Sequence, residues 1–151
     1  MFRWKLLNKI LPTQTLLYKW KVNNDPMCKH CNRIEDYEHY FVSCEYFKNF
    51  IKYIQDLLKN LGYNNEIYTL KNIVIGYKIH QKEYNIINHI ITIAAYTMYR
   101  AYHITHGKTH YVNTIGLFKD SIATLISIYI HRKNRIPPTL QSTCNILGIT
   151  Q

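Results

Sequence analysis

Between residues 28 and 44 the chain runs Cys28-x2-Cys31-x7-His39-x4-Cys44, and no other feature limits its fold as tightly. A Cys-x2-Cys turn bends two thiolates towards one point, and an imidazole and a third thiolate come after it at ligand spacing. Three sulfur donors and one nitrogen are a set that Zn²⁺ takes in a tetrahedron. With all four positions filled by protein, none is left for water or substrate. One structural Zn²⁺ is therefore expected, and a catalytic metal is not. The plain alternative is three ordinary cysteines beside a surface histidine, yet three of the four cysteines fall in this one stretch. His30 lies between the first two thiolates and competes with His39; flanked in that way, it is expected to point outward. Cys144 has no partner nearby and reads as an ordinary thiol.

The segments around the module read as helices. Arg3 to Ile10 places Trp4, Leu7 and Leu11 on one face before Pro12 interrupts. Thr13 is placed to cap a second helix carrying Leu16, Leu17 and Trp20. Asn23-Asn24-Asp25-Pro26 has the chemistry of a loop. From Phe47 the residues Phe50, Ile51, Ile54, Leu57, Leu58 and Leu61 form a stripe that ends at Gly62. The loop Tyr63-Asn64-Asn65 comes next, and then a short apolar piece, Leu70 to Ile75, ended by Gly76. Glu83 to Ile104 and Tyr111 to Lys133 repeat apolar residues at helical spacing. With His103 to His110 as the turn between them, they read as an antiparallel αα-hairpin. Pro137-Pro138 is expected to stop the last helix and leave a loose tail. The fold class is all-α: a small helical domain with one structural zinc knuckle and a C-terminal αα-hairpin. Residues 1–62 form the zinc-bearing part, 63–135 the helical region and 136–151 the tail, all within one compact unit.

Several function classes are excluded. The most apolar stretch, Ile86 to Tyr99, is interrupted by Asn88, His89 and Thr92, and is shorter than the roughly 20 residues a membrane span needs. No signal-peptide pattern is attached to the basic start, and cysteines at metal spacing suit an intracellular chain. Asp25, Asp36, Asp56 and Asp120 are isolated, so neither a polymerase nor a restriction-like nuclease has its carboxylates here. The chain is expected to be non-enzymatic, with no small-molecule substrate. Its charge of +10 points to a polyanion as partner. Coding bias towards A and T also inflates Lys and Tyr, but it does not by itself deplete acids.

Phe2-Arg3-Trp4-Lys5-Leu6-Leu7, Leu11-Pro12-Thr13, Leu16-Leu17-Tyr18-Lys19-Trp20-Lys21 and the Cys-Cys-His-Cys module together resemble a known pattern. It is the zinc-binding region downstream of reverse transcriptase in LINE-type non-LTR retrotransposons. Glu38-His39-Tyr40-Phe41 and Cys44 fit it, as does the later Ala-x-Tyr-x-x-Tyr-Arg run ending at Arg100. Phe50-Ile51 departs from the Phe-Trp of many relatives. The resemblance implies an accessory segment of a retroelement polyprotein, working in the nucleus and in a cytoplasmic ribonucleoprotein. It would assist binding of element RNA or target DNA in target-primed reverse transcription, beside the polymerase body.

Candidate nucleic-acid contacts are Lys19, Lys21, Lys29 and Arg33 around the zinc loop, with Tyr37 as a face on which an unpaired base stacks. Arg3 and Lys5 are placed for phosphates on the first helix, whereas Trp4 and Trp20 are expected in the core. Tyr96, Tyr99 and Tyr102 are expected to pack within the hairpin. The rival reading is a protein-interaction or scaffolding module docked on the polymerase body. A domesticated fragment with a new partner is a third.

Overall fold

The computed structural model describes residues 1–78, 80–105 and 112–150. Within them the chain forms α1 (Phe2–Leu7), α2 (Gln14–Lys19), α3 (Lys48–Asn60), α4 (Leu70–Val74), α5 (Asn85–Thr105), α6 (Thr114–His131) and α7 (Pro138–Leu147). No strand occurs among the described residues; the one β contact is an isolated antiparallel bridge between Met27 and Ile34.

Helix α5 is the centre. Ile86, Ile87, Ile90, Ile91, Ala94, Ala95, Met98, Ala101 and Tyr102 are all buried, leaving only a narrow exposed face. A helix apolar around most of its girth must be covered on several sides. It packs against α4, α6 and α7, most extensively against α6. Helix α6 turns Phe118, Ile122 and Ile126 inward, and α3 contributes Phe50, Ile51, Ile54, Leu57 and Leu58. The two long helices thus form the expected hairpin; most of the expected turn, with His106 and His110, lies outside the described residues. Buried side chains from Leu6 to Leu147 belong to a single cluster.

Local signals act as the sequence leads one to expect. Thr13 Oγ1 accepts from the Leu16 amide at 3.3 Å and caps α2. Gly62 and Gly76 adopt φ values of +84° and +105°, which side chains rarely take, so each ends its apolar stripe.

Two expectations are corrected. The tail is not loose, for Pro138 stands at the first position of α7, where its missing N–H costs nothing. Leu140, Thr143, Cys144 and Leu147 then form a buried face against α3, α5 and α6, and Gly148 closes the helix at φ +66°. Trp4 and Trp20 are not core residues: they are 59% and 53% exposed. In α1 the inward pair is Phe2 and Leu6, one turn apart, which directs Trp4 and Leu7 outward. In α2 the buried residue is polar, Gln14, so its apolar stripe faces away from the deepest core.

Candidate metal centre

The Cys-x2-Cys turn is built by backbone hydrogen bonds. Asp25 Oδ1 accepts from the Met27 amide at 2.9 Å and sets the entry. The Cys28 amide donates to Arg33 O at 2.7 Å, and the Asn32 amide to Cys28 O at 3.0 Å. Asn32 takes φ +55°, a left-handed conformation that Asn tolerates better than most residues, so the chain reverses within four residues of Cys28. His39 begins a single π-helical turn, His39–Ser43, whose start is fixed by Asp36 Oδ1 accepting from the His39 amide at 2.8 Å. Cys44 comes next in extended backbone and leads into the 3₁₀ turn Glu45–Phe47 ahead of α3.

These turns bring four ligand atoms within 4.8 Å of one another. Cys28 Sγ and Cys44 Sγ are 3.9 Å apart, and Cys31 Sγ lies 3.2 Å from His39 Nε2. A tetrahedron with Zn–S bonds of about 2.3 Å has S···S edges of about 3.8 Å, so the sulfur pair matches the ion. Cys28, His39 and Cys44 are buried and Cys31 is half-buried, so solvent is largely kept off the site. Burial holds the His39 imidazole below its ordinary range and keeps it neutral, the form that ligates. The hydrogen bond with Cys44, helped by burial, pushes the Cys28 thiol up, and the same bond draws the Cys44 thiol below its ordinary range. The donor set and its closure fit one structural Zn²⁺. His30 does not compete: its ring is exposed and stacks on Tyr46 at 4.0 Å.

A buried polar hub joins this centre to the helices. Glu35, only 1% exposed, accepts from the Gln14 amide through Oε1 and from the Tyr102 hydroxyl through Oε2, each at 2.8 Å. Gln14 Nε2 donates to the Tyr102 oxygen at 3.1 Å, and Asn23 Nδ2 donates to Gln14 Oε1. Burial raises the Glu35 carboxyl above its ordinary range, while the Gln14 and Tyr102 hydrogen bonds pull the other way. Glu35 also donates its amide to Pro26 O and accepts from the Thr15 amide. One residue therefore ties α2, the zinc loop and α5. Tyr102 does this work outside the hairpin, while Phe2 of α1 packs against Tyr96 and Tyr99 at 5.3 and 5.8 Å. Sequence reasoning missed the hub because its residues are scattered and carry no spacing signal.

The expected nucleic-acid contacts divide. Lys19, Lys21, Lys29 and Arg33 lie on the exposed surface around α2 and the zinc loop. Lys5 is half-buried beside an apolar groove lined by Phe2 and Tyr96. Arg3 is turned inward, where its Nε donates to Val74 O at 3.3 Å at the end of α4. Tyr37 is half-buried, with its hydroxyl donating to Leu11 O at 2.8 Å. The open aromatic rings of this region are those of Trp4, Tyr18 and Trp20, all exposed.

Comparison with known families bears on the N-terminal third. Residues 1–50 match the family described as zinc-binding in reverse transcriptase. The match spans all four ligands and both short helices, and it ends in α3. Residues 1–50 thus resemble a reverse-transcriptase-associated zinc-binding region, and the likeness rests on this stretch, not on a polymerase catalytic domain. Neither the curated proteins nor the solved structures gave a match. The zinc domain does not stand apart from the longer helices, since Tyr102 of α5 closes the hub beneath it.

Proposed function

We propose that this protein is a non-catalytic, nucleic-acid-binding accessory of a reverse transcriptase, and that it holds single-stranded element RNA or target DNA beside the polymerase body. Such a role would be exercised in the nucleus, where target DNA lies. The observation that carries the reading is Trp20, exposed at the end of α2 between the exposed cations Lys19 and Lys21. An open indole stacks on any unpaired base, and flanking lysines meet the phosphates on either side. Folding leaves both tryptophans in water, although each carries apolar area that burial would stabilise. Titration of the full chain against single-stranded RNA, duplex RNA and duplex DNA tests the reading. Trp20→Ala lowers single-strand affinity by about 1–3 kcal/mol, the worth of one stacked base, and leaves duplex affinity nearly unchanged. Equal loss on all three ligands, or no binding by the parent chain, overturns it.

A second reading draws on α1. Trp4, Leu7 and Ile10 are exposed apolar residues within one short segment, and such a patch suits docking on a protein surface, here the polymerase body. It predicts that Trp4→Ala weakens association with the polymerase and leaves nucleic-acid affinity unaffected.

A further inference from the structure

We infer that the cleft between the 22–25 loop and the Cys28–Asn32 turn receives an unpaired nucleobase, and that Asp25 makes it prefer a base with an exocyclic amino group. The inference rests on the nucleic-acid reading above and adds to it a place where base identity is read. The cleft has a volume of about 510 Å³ and is lined by Val22, Asn23, Asn24, Asp25, Lys29 and Asn32, with Gln14 and the metal ligands Cys28 and Cys31 also on its wall. That volume falls within the roughly 300–1,000 Å³ of sites that take small organic ligands. Its chemistry differs from an apolar drug-like pocket. Asn24 and Asn32 in the lining carry both donors and acceptors, Asn23 adds an amide whose Nδ2 also donates to Gln14, Val22 is apolar, and Lys29 is cationic. Planar groups with mixed donors and acceptors on their edges, bases above all, suit such a wall. The cleft also adjoins the proposed platform, since Val22 comes directly after Trp20 and Lys21 in the chain.

Asp25 gives the direction of the preference. Its Oδ1 accepts from the Met27 amide at 2.9 Å in a turn that fixes the side chain against the loop. A carboxylate only accepts, so Oδ2 favours a base edge that donates. The 4-amino group of cytosine is such a donor, whereas at that position uracil carries a carbonyl, its edge donor being the neighbouring N3–H. Trp20 would therefore supply affinity for any sequence, and Asp25 the discrimination between bases.

Cytidine and uridine test this contact, because they differ only at C4 and N3 of that edge and carry no phosphate. Each is titrated into the ¹⁵N-labelled, zinc-loaded full chain, and the amide resonances of residues 22–32 are followed. Cytidine is expected to bind about fivefold or more tightly than uridine, as one hydrogen bond to a charged group implies. Asp25→Asn keeps an acceptor for the Met27 amide, so the loop stays folded, and it should bring the ratio to within about twofold. Equal shifts with both nucleosides, no shifts with either, or a ratio that survives in Asp25→Asn overturns the inference. Oligo-cytidylate and oligo-uridylate affinities are measured alongside. Oligomers that fail to bind refute the wider nucleic-acid reading, while the nucleoside ratio still decides the cleft.

Discussion

The Tyr102 hydroxyl donates to Glu35 Oε2 at 2.8 Å, joining residues 67 apart in sequence and fixing the zinc loop to the central helix. A hydrogen bond to a buried carboxylate is stronger than one between neutral groups, and losing the donor leaves the carboxylate under-satisfied. Tyr102→Phe should therefore cost about 1.5–3 kcal/mol in urea unfolding at neutral pH. Glu35 also makes stability depend on pH. Burial raises its folded-state pKa, so its contribution is fully present below the unfolded value and is lost as pH rises through the raised value. Glu35→Gln lacks this titration. The stability of the native chain relative to Glu35→Gln should fall as pH rises from about 4.5. A difference that is flat with pH, measured in zinc-saturated protein, contradicts the assignment.

The metal should hold its own module more than the hairpin. Cys31→Ser or His39→Ala should lower zinc stoichiometry in purified protein and loosen residues 26–46, since few apolar side chains there replace the metal. Helices α5 and α6 bury their own apolar faces, so much of the helical circular dichroism should persist. Unchanged zinc content in both variants would refute the ligand set.

Tryptophan is ordinarily costly to remove, but here it should not be. Trp4→Ser and Trp20→Ser should each change stability by less than about 0.5 kcal/mol, as for surface substitutions. Leu6→Ala, at 2% exposure one turn from Phe2, should cost about 2–5 kcal/mol. Thermal melts of the three variants check the order. A large loss from either tryptophan would return it to the core.

Helix α7 should behave as part of the core. Leu140, fully buried where α7 meets α3, α5 and α6, should cost about 2–5 kcal/mol on Leu140→Ala. Denaturant midpoints measure this, and a neutral result would mean that the segment does not pack.

The zinc ligands, the all-α class and the long helices were legible because each leaves a periodic or spaced signal: Cys28-x2-Cys31, and the 3–4 repeat through Ile86, Ile90 and Ala94. The α7 stripe of Leu140, Cys144 and Leu147 is equally periodic; Pro137-Pro138 hid it, because proline that ends one helix also starts another. The inward faces of α1 and α2 were not legible. Six-residue helices show too little period, and their orientation depends on tertiary contacts of Phe2 and Gln14. The inward hydrogen bonds of Tyr37 and Arg3 were not legible for a related reason. A basic or aromatic residue near a candidate interface looks available until its partner, Leu11 O or Val74 O, is known. Glu35 gives no hint in sequence that it is buried, since acids are rarely so.

For the α2 platform the sharpest test is the salt dependence of single-stranded RNA binding. Log affinity should fall linearly with log salt, with roughly 0.7 of slope for each phosphate contact. Lys19→Gln combined with Lys21→Asn, the latter chosen because Lys21 sits at φ +58°, should flatten that slope by roughly 1 to 1.5. The pair Lys71→Gln and Lys82→Gln removes the same charge from exposed sites elsewhere and should leave the slope nearly unchanged. Equal flattening by both pairs would show that charge acts diffusely and would contradict a binding platform on α2.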